Sequence, residues 1–127
     1  MPASRPLRVL VVDDERDTLM TLGILLRSEG IDIRLAARGT EVAAMVADFR
    51  PDAILLDIGM PDRSGLQVAL DLTRDHGPQC PVLIAVTANS GDAAKRITQK
   101  SGFRHHVTKP YDPDALLQLV GSIEPRD

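Results

Sequence analysis

The chain has 127 residues, 43% apolar and 26% charged, which suits one soluble domain with a single core and leaves no length for a second. Net charge is −3 with the basic residues scattered, aromatics are only 2% and tryptophan is absent, so neither a nucleic-acid-binding surface nor a base-stacking platform is expected. A lone cysteine, Cys80, excludes an internal disulfide, and no run approaches the roughly 20 apolar residues that cross a bilayer or forms a signal peptide; a cytoplasmic protein without membrane contact is expected.

Five repeats of strand then helix are predicted, forming a single domain over 1–127. The strands fall near 7–12, 31–36, 53–57, 81–87 and 104–108, and the helices near 15–29, 39–49, 64–75, 90–101 and 112–123. Leu19, Leu22 and Leu26 mark the buried stripe of the first helix. Val42, Met45, Val46 and Phe49 mark that of the second, and Leu116, Leu119, Val120 and Ile123 that of the fifth. Gly30 and Gly102 are natural left-handed stops. Ser90 and Asp112 are expected as N-caps, with Pro113 in the first helical position. The fourth helix carries Ile97 among Lys95, Arg96, Gln99 and Lys100 and reads as a solvated face.

Runs one, three and four are apolar throughout, as strands covered on both faces must be. Run two alternates from Ile31 to Leu35 and run five, Arg104 to Thr108, is mostly polar, so these two belong at the edges. An α/β doubly wound sheet of order 2-1-3-4-5 satisfies this, although other orders share the same edges. In that order the direction reverses between strands one and three, and ligands bind outside the carboxyl ends at such a reversal.

The polar groups following the apolar runs are Asp13-Asp14, Asp57, Thr87 and Lys109-Pro110. A parallel sheet brings all of them to one edge. Three carboxylates within about 5 Å of one another repel by a few kcal/mol per pair at an effective dielectric of about 20, so one protonates or a cation neutralises them. Oxygen ligands without histidine or cysteine favour Mg²⁺, with Mn²⁺ as a substitute. The plainer reading of Asp13-Asp14 is a helix start, where acids are stabilised by the dipole. Asp57 is the candidate nucleophile, forming an acyl phosphate, with Lys109 and Thr87 placed to contact phosphoryl oxygens.

Four fragments occur in order at those strand ends: Val11-Val12-Asp13-Asp14-Glu15; Leu55-Leu56-Asp57-Ile58-Gly59-Met60-Pro61 with Gly65; Val86-Thr87-Ala88; and Thr108-Lys109-Pro110. Over essentially its whole length the chain resembles the receiver domains of bacterial two-component response regulators. The resemblance implies a flavodoxin-like (βα)5 fold and a phosphorelay function without enzymatic turnover beyond self-phosphorylation and autodephosphorylation. It implies Asp57 as phosphoacceptor from a phosphohistidine on a sensor histidine kinase or histidine phosphotransfer protein. It further implies Mg²⁺ held by Asp13, Asp14, Asp57 and the Gly59 carbonyl, phosphoryl contacts from Thr87, Lys109 and the Ala88 N–H, and a cis Lys109-Pro110 bond. Asn89 lies where such domains tune phosphoryl lifetime. Output would run through helix four, strand five and helix five, with a homodimer or a covalently linked kinase as further partners.

The departure is His106, where receivers usually place a tyrosine or phenylalanine. Histidine at this position also resembles receivers attached to sensor kinases. His105-His106 is a poor metal pair, since adjacent strand residues point to opposite faces. Cys80 reads as a small packing residue. Two other functions compete: a degenerate receiver acting as scaffold, and an aspartyl-phosphate phosphatase. The phosphatase needs a carboxylate two residues beyond the nucleophile, where this chain has Gly59.

Overall fold

The apolar runs pair as parallel strands, each followed by a helix that crosses back over the sheet. The computed structural model describes residues 5–88 and 91–125. Its elements are β1 (Arg8–Val12), α1 (Arg16–Arg27), β2 (Asp32–Ala36), α2 (Val42–Phe49), β3 (Ala53–Asp57) and α3 (Gly65–His76), followed by β4 (Val82–Thr87), α4 (Asp92–Lys100), β5 (His105–Thr108) and α5 (Pro113–Gly121). The sheet order is β2-β1-β3-β4-β5, the expected order among those whose edge strands the compositions allow. β3 is buried along its whole length, whereas every residue of β5 is half-buried.

Alternation along the central strands divides the core in two. Leu10, Val12, Ile54, Leu56, Leu83 and Ala85 pack with Val42 and Val46 of α2 and Val68 and Leu72 of α3. Val9, Val11, Leu55, Ile84 and Val86 pack with Leu19, Leu22 and Leu26 of α1 and Leu116 and Val120 of α5. Cys80 is packed against the first cluster, in keeping with its sequence reading. α4 buries little: Thr98 is its buried residue and Ile97 is 51% exposed.

Helix boundaries differ from expectation in instructive places. The second predicted helix opens as a 3₁₀ turn over Gly39–Glu41, and α2 begins only at Val42. Glycine is a poor helix former, and the Glu41 side chain turns back to accept from the Arg38 N–H at 3.1 Å. α3 is capped by Ser64, which accepts from Leu66 N–H at 3.2 Å. α4 starts after Gly91, and the Ser90 cap lies outside the described residues. Asp112 does cap α5, accepting from Asp114 N–H at 3.2 Å with Pro113 following it. Gly30 and Gly102 take positive φ, 78° and 106°, as the stop signals require.

At the amino edge of the sheet, Asp52 is buried and ties the starts of two strands together. It receives two bonds from the Arg5 guanidinium and one from the Arg8 N–H, each 2.8 Å. This bidentate pair holds the segment before β1 onto the segment before β3.

Candidate functional site

The register of the central strands places their carboxyl ends side by side. Val12 lies opposite Leu56, Asp57 opposite Val86, and Thr87 opposite Thr108. Asp13 extends β1 by one residue, its N–H donating to the Ala36 carbonyl at 3.1 Å. Its carboxylate is held in turn by the Glu15 N–H, 2.9 Å from Oδ1. Asp57 ends β3, and its Oδ1 accepts from the Gly59 N–H at 3.1 Å. Asp13, Asp14 and Asp57 each offer a carboxylate oxygen, and these atoms lie within 4.8 Å of one another.

Asp13 and Asp57 are buried, while Asp14 opens to solvent. Charges 4.8 Å apart repel by about 3 kcal/mol at an effective dielectric of 20. Burial pushes the Asp57 carboxyl above its ordinary value. The Gly59 N–H opposes that, the Asp13 charge reinforces it, Lys109 opposes it more weakly, and the neighbouring Asp14 adds to it.

Lys109 supplies the cation. Its backbone N–H donates to the Thr87 carbonyl at 2.8 Å, and the Lys109-Pro110 bond is cis, as the resemblance implies. Its ammonium donates to Asp13 Oδ2 at 3.2 Å. Burial works against that charge, but the Asp13 bond and the charges of Asp13, Asp57 and Glu15 outweigh it, so the Lys109 pKa is raised.

The structure therefore gathers Asp13, Asp14, Asp57 and Lys109 into one cluster. Thr87 sits at the end of the adjoining strand with exposed Ala88 directly after it, and Gly59 lies in the loop leaving β3. Asn89 lies outside the described residues. The acidic trio is the metal-capable cluster among the described residues, and it contains no histidine. All-oxygen donors, excess negative charge and one exposed carboxylate fit a hard divalent cation.

Two features were not legible in the sequence: the packing reason for Gly65, which the second fragment includes, and the role of Asp62. Gly65 leaves no room for a side chain, because a Cβ there would lie 2.5 Å from the Asp57 carbonyl oxygen and 2.8 Å from Ile58 Cα. Asp62 accepts from the N–H groups of Gly39 and Thr40 at 3.2 and 3.1 Å. A Pro-Asp pair signals a turn, but its distant partners carry no signal in the sequence. His106 is the unusual member of β5, since both ring nitrogens are buried without a hydrogen-bond partner among the described residues.

This arrangement of strand ends matches a known class. Residues 9–121 match the response regulator receiver domain, and the chain belongs to that family. It is a receiver of two-component signal transduction, a phosphoacceptor switch in general character. Among curated relatives it is similar to protein PilH of Pseudomonas aeruginosa, 30% identical over 116 residues, 91% of this chain and 96% of PilH. It is also similar to the DNA-binding response regulator MtrA of Mycobacterium tuberculosis, 33% identical over 113 residues. That match takes in 89% of this chain and 48% of MtrA, so the chain spans about half the length of that relative. Among solved structures it resembles a chain in the complex of the Saccharomyces cerevisiae histidine phosphotransfer signaling protein Ypd1 with the receiver domain of its response regulator Ssk1. There the TM-score is 0.84 and the identity 27%, over 91% of this chain and 87% of that one. No helix among the described residues is long and apolar enough to cross a membrane.

Proposed function

We propose that Asp57 accepts a phosphoryl group from a phosphohistidine on a sensor histidine kinase or histidine phosphotransfer protein. An Asp57 carboxylate oxygen attacks phosphorus, and the phosphorus–nitrogen bond to the donor imidazole breaks. The electron pair leaves with that nitrogen, giving an acyl phosphate on Asp57. Asp13, Asp14 and Asp57, with the Gly59 carbonyl, would hold Mg²⁺, for which Mn²⁺ would substitute. Bound there, the cation would offset charge on the transferring group. Lys109 contributes a second positive charge, and Thr87 with the Ala88 N–H binds the remaining phosphoryl oxygens.

The single observation that carries this reading is the acidic trio within 4.8 Å with the Lys109 ammonium on one of its members. Repulsion stored in that cluster favours cation binding and readies Asp57 as the acceptor. Movement of Thr87 toward the phosphoryl group would then bias the face built from α4, β5 and α5. The phosphotransfer partner is supported by the Ypd1–Ssk1 likeness. The setting is cytoplasmic, with neither nucleic acid nor membrane bound by this domain.

The test is incubation with acetyl phosphate and Mg²⁺, read by intact mass. A phosphoryl mass increase is expected in the wild type and none in Asp57→Ala. No increase in the wild type, or one retained in the variant, overturns the assignment. Gly59 has no side chain to serve as acid or base, so multiple turnover of a phosphate ester is not expected.

A further inference from the structure

The loop that leaves Asp57 is anchored at both ends. Ile58 N–H donates to the Val86 carbonyl at 3.1 Å, and Gly65 N–H donates back to the Ile58 carbonyl at 3.0 Å. Gly59, which donates to Asp57, lies within this closed loop. The tip between those anchors is held by two adjacent residues of opposite charge. Asp62 spreads its two oxygens over consecutive N–H groups at the start of the 3₁₀ turn before α2, Gly39 to Oδ1 at 3.2 Å and Thr40 to Oδ2 at 3.1 Å. Arg63 reaches the other way and pairs with Asp71 of α3, whose second oxygen accepts from Gln67 Nε2 at 3.0 Å.

The seating is close as well as polar. A Cβ on Gly39 would lie 3.0 Å from both the Cβ and the carbonyl oxygen of Arg63, so only glycine lets the two loops meet without displacement. Hydrogen bonds and a glycine-dependent backbone approach thus point independently to one contact. An exposed ion pair such as Arg63–Asp71 adds little by itself. The Asp62 fork, though Asp62 is itself exposed, differs in that both of its donors are backbone N–H groups that cannot rotate away.

We propose that Asp62 is a positioning residue for the metal site: by pinning the loop tip to the start of α2, it fixes the Gly59 carbonyl in the place where the cation needs it. The inference rests on the Mg²⁺ reading above and adds a residue that touches neither metal nor phosphoryl group. A carbonyl on an anchored loop is pre-organised, whereas on a loose one its ordering is subtracted from binding.

The test is a Mg²⁺ titration of the full chain by ¹⁵N–¹H NMR for wild type, Asp62→Ala and Asp62→Asn, with melts recorded with and without Mg²⁺. Both variants remove the same charge, so the difference between them reports the hydrogen-bond fork. Asp62→Ala is expected to weaken Mg²⁺ about three- to tenfold, at or below the low end of what removing an orienting partner costs. Asn keeps one acceptor and should recover roughly half of that loss on a logarithmic scale. Equal weakening in the two variants would assign the effect to charge alone and overturn the proposal. An unchanged Mg²⁺ affinity with a lowered melting temperature would make Asp62 merely a cap for α2 and overturn it too. If the wild type itself binds no Mg²⁺, the metal reading fails first, which the wild-type titration reveals without reference to either variant.

Discussion

The Lys109 ammonium donates to Asp13 at 3.2 Å, while Asp57 keeps its bond from the Gly59 N–H at 3.1 Å. A cation held by Asp13 would therefore compete with the lysine for the same acid. In Lys109→Ala the trio loses its nearest positive charge. Mg²⁺ should bind several-fold more tightly, whereas phosphoryl uptake from acetyl phosphate should slow by about tenfold or more, as lost transition-state charge stabilisation requires. Titration and single-turnover labelling of one preparation check both. Weaker Mg²⁺ binding in the variant would show that Lys109 organises the trio instead of competing within it.

Burial and the Asp13 charge raise the Asp57 pKa above its ordinary 3.8, against the Gly59 N–H. The folded state then holds that proton more tightly than the unfolded chain does. The Asp57 contribution to stability should accordingly fall as pH rises from about 4 through the folded pKa, and the full penalty is present above it. Without Mg²⁺, Asp57→Asn should melt about 2–5 °C higher than wild type at neutral pH, and the advantage should vanish below pH 4. Excess Mg²⁺ should stabilise the wild type and not the variant. Parallel melting-temperature profiles across this range would sink the prediction.

His106 holds two ring nitrogens out of water with no partner among the described residues. A buried polar group left unpaired costs about 1–3 kcal/mol, and an apolar ring of similar shape avoids that cost. His106→Phe should therefore raise stability by about 1 kcal/mol or more in urea unfolding, with an unchanged m-value. A destabilised variant would mean that the imidazole finds a partner in solution.

Gly65 lies against the backbone at the end of β3, where neither the Asp57 carbonyl nor Ile58 Cα can yield cheaply. Gly65→Ala should cost about 1–3 kcal/mol through overpacking and should slow phosphorylation by shifting Asp57. Thermal melts and acetyl phosphate labelling measure the two effects separately. Wild-type values for both would show that the loop relaxes without disturbing the site.

Most of the sheet could be read in advance because burial on both faces and burial on one face leave different residue patterns. Leu10-Val11-Val12 and Ile54-Leu55-Leu56 are apolar without a break, and both strands prove central. His105-His106 is polar and its strand is an edge. The acidic trio was legible for the same reason: any parallel order that keeps β1 beside β3 must bring Asp13 and Asp57 to one rim. Helix ends were read less well. Gly39 sits inside a run whose periodicity suits a helix, yet the turn there is tighter, and the Asp62 carboxylate that accepts from it comes from a loop 23 residues away.

Local order along the chain thus settles which segments become strands, which helix faces are apolar, and which side chains stand at strand ends, because each depends on neighbours within a few residues. Other features wait on folding: the Lys109 ammonium choosing Asp13, the Asp62 fork across two loops, the closeness that demands glycine at 39 and 65, and the orphaned nitrogens of His106. They are contacts between distant segments, and their distances exist only once the sheet has registered and the helices have packed against it.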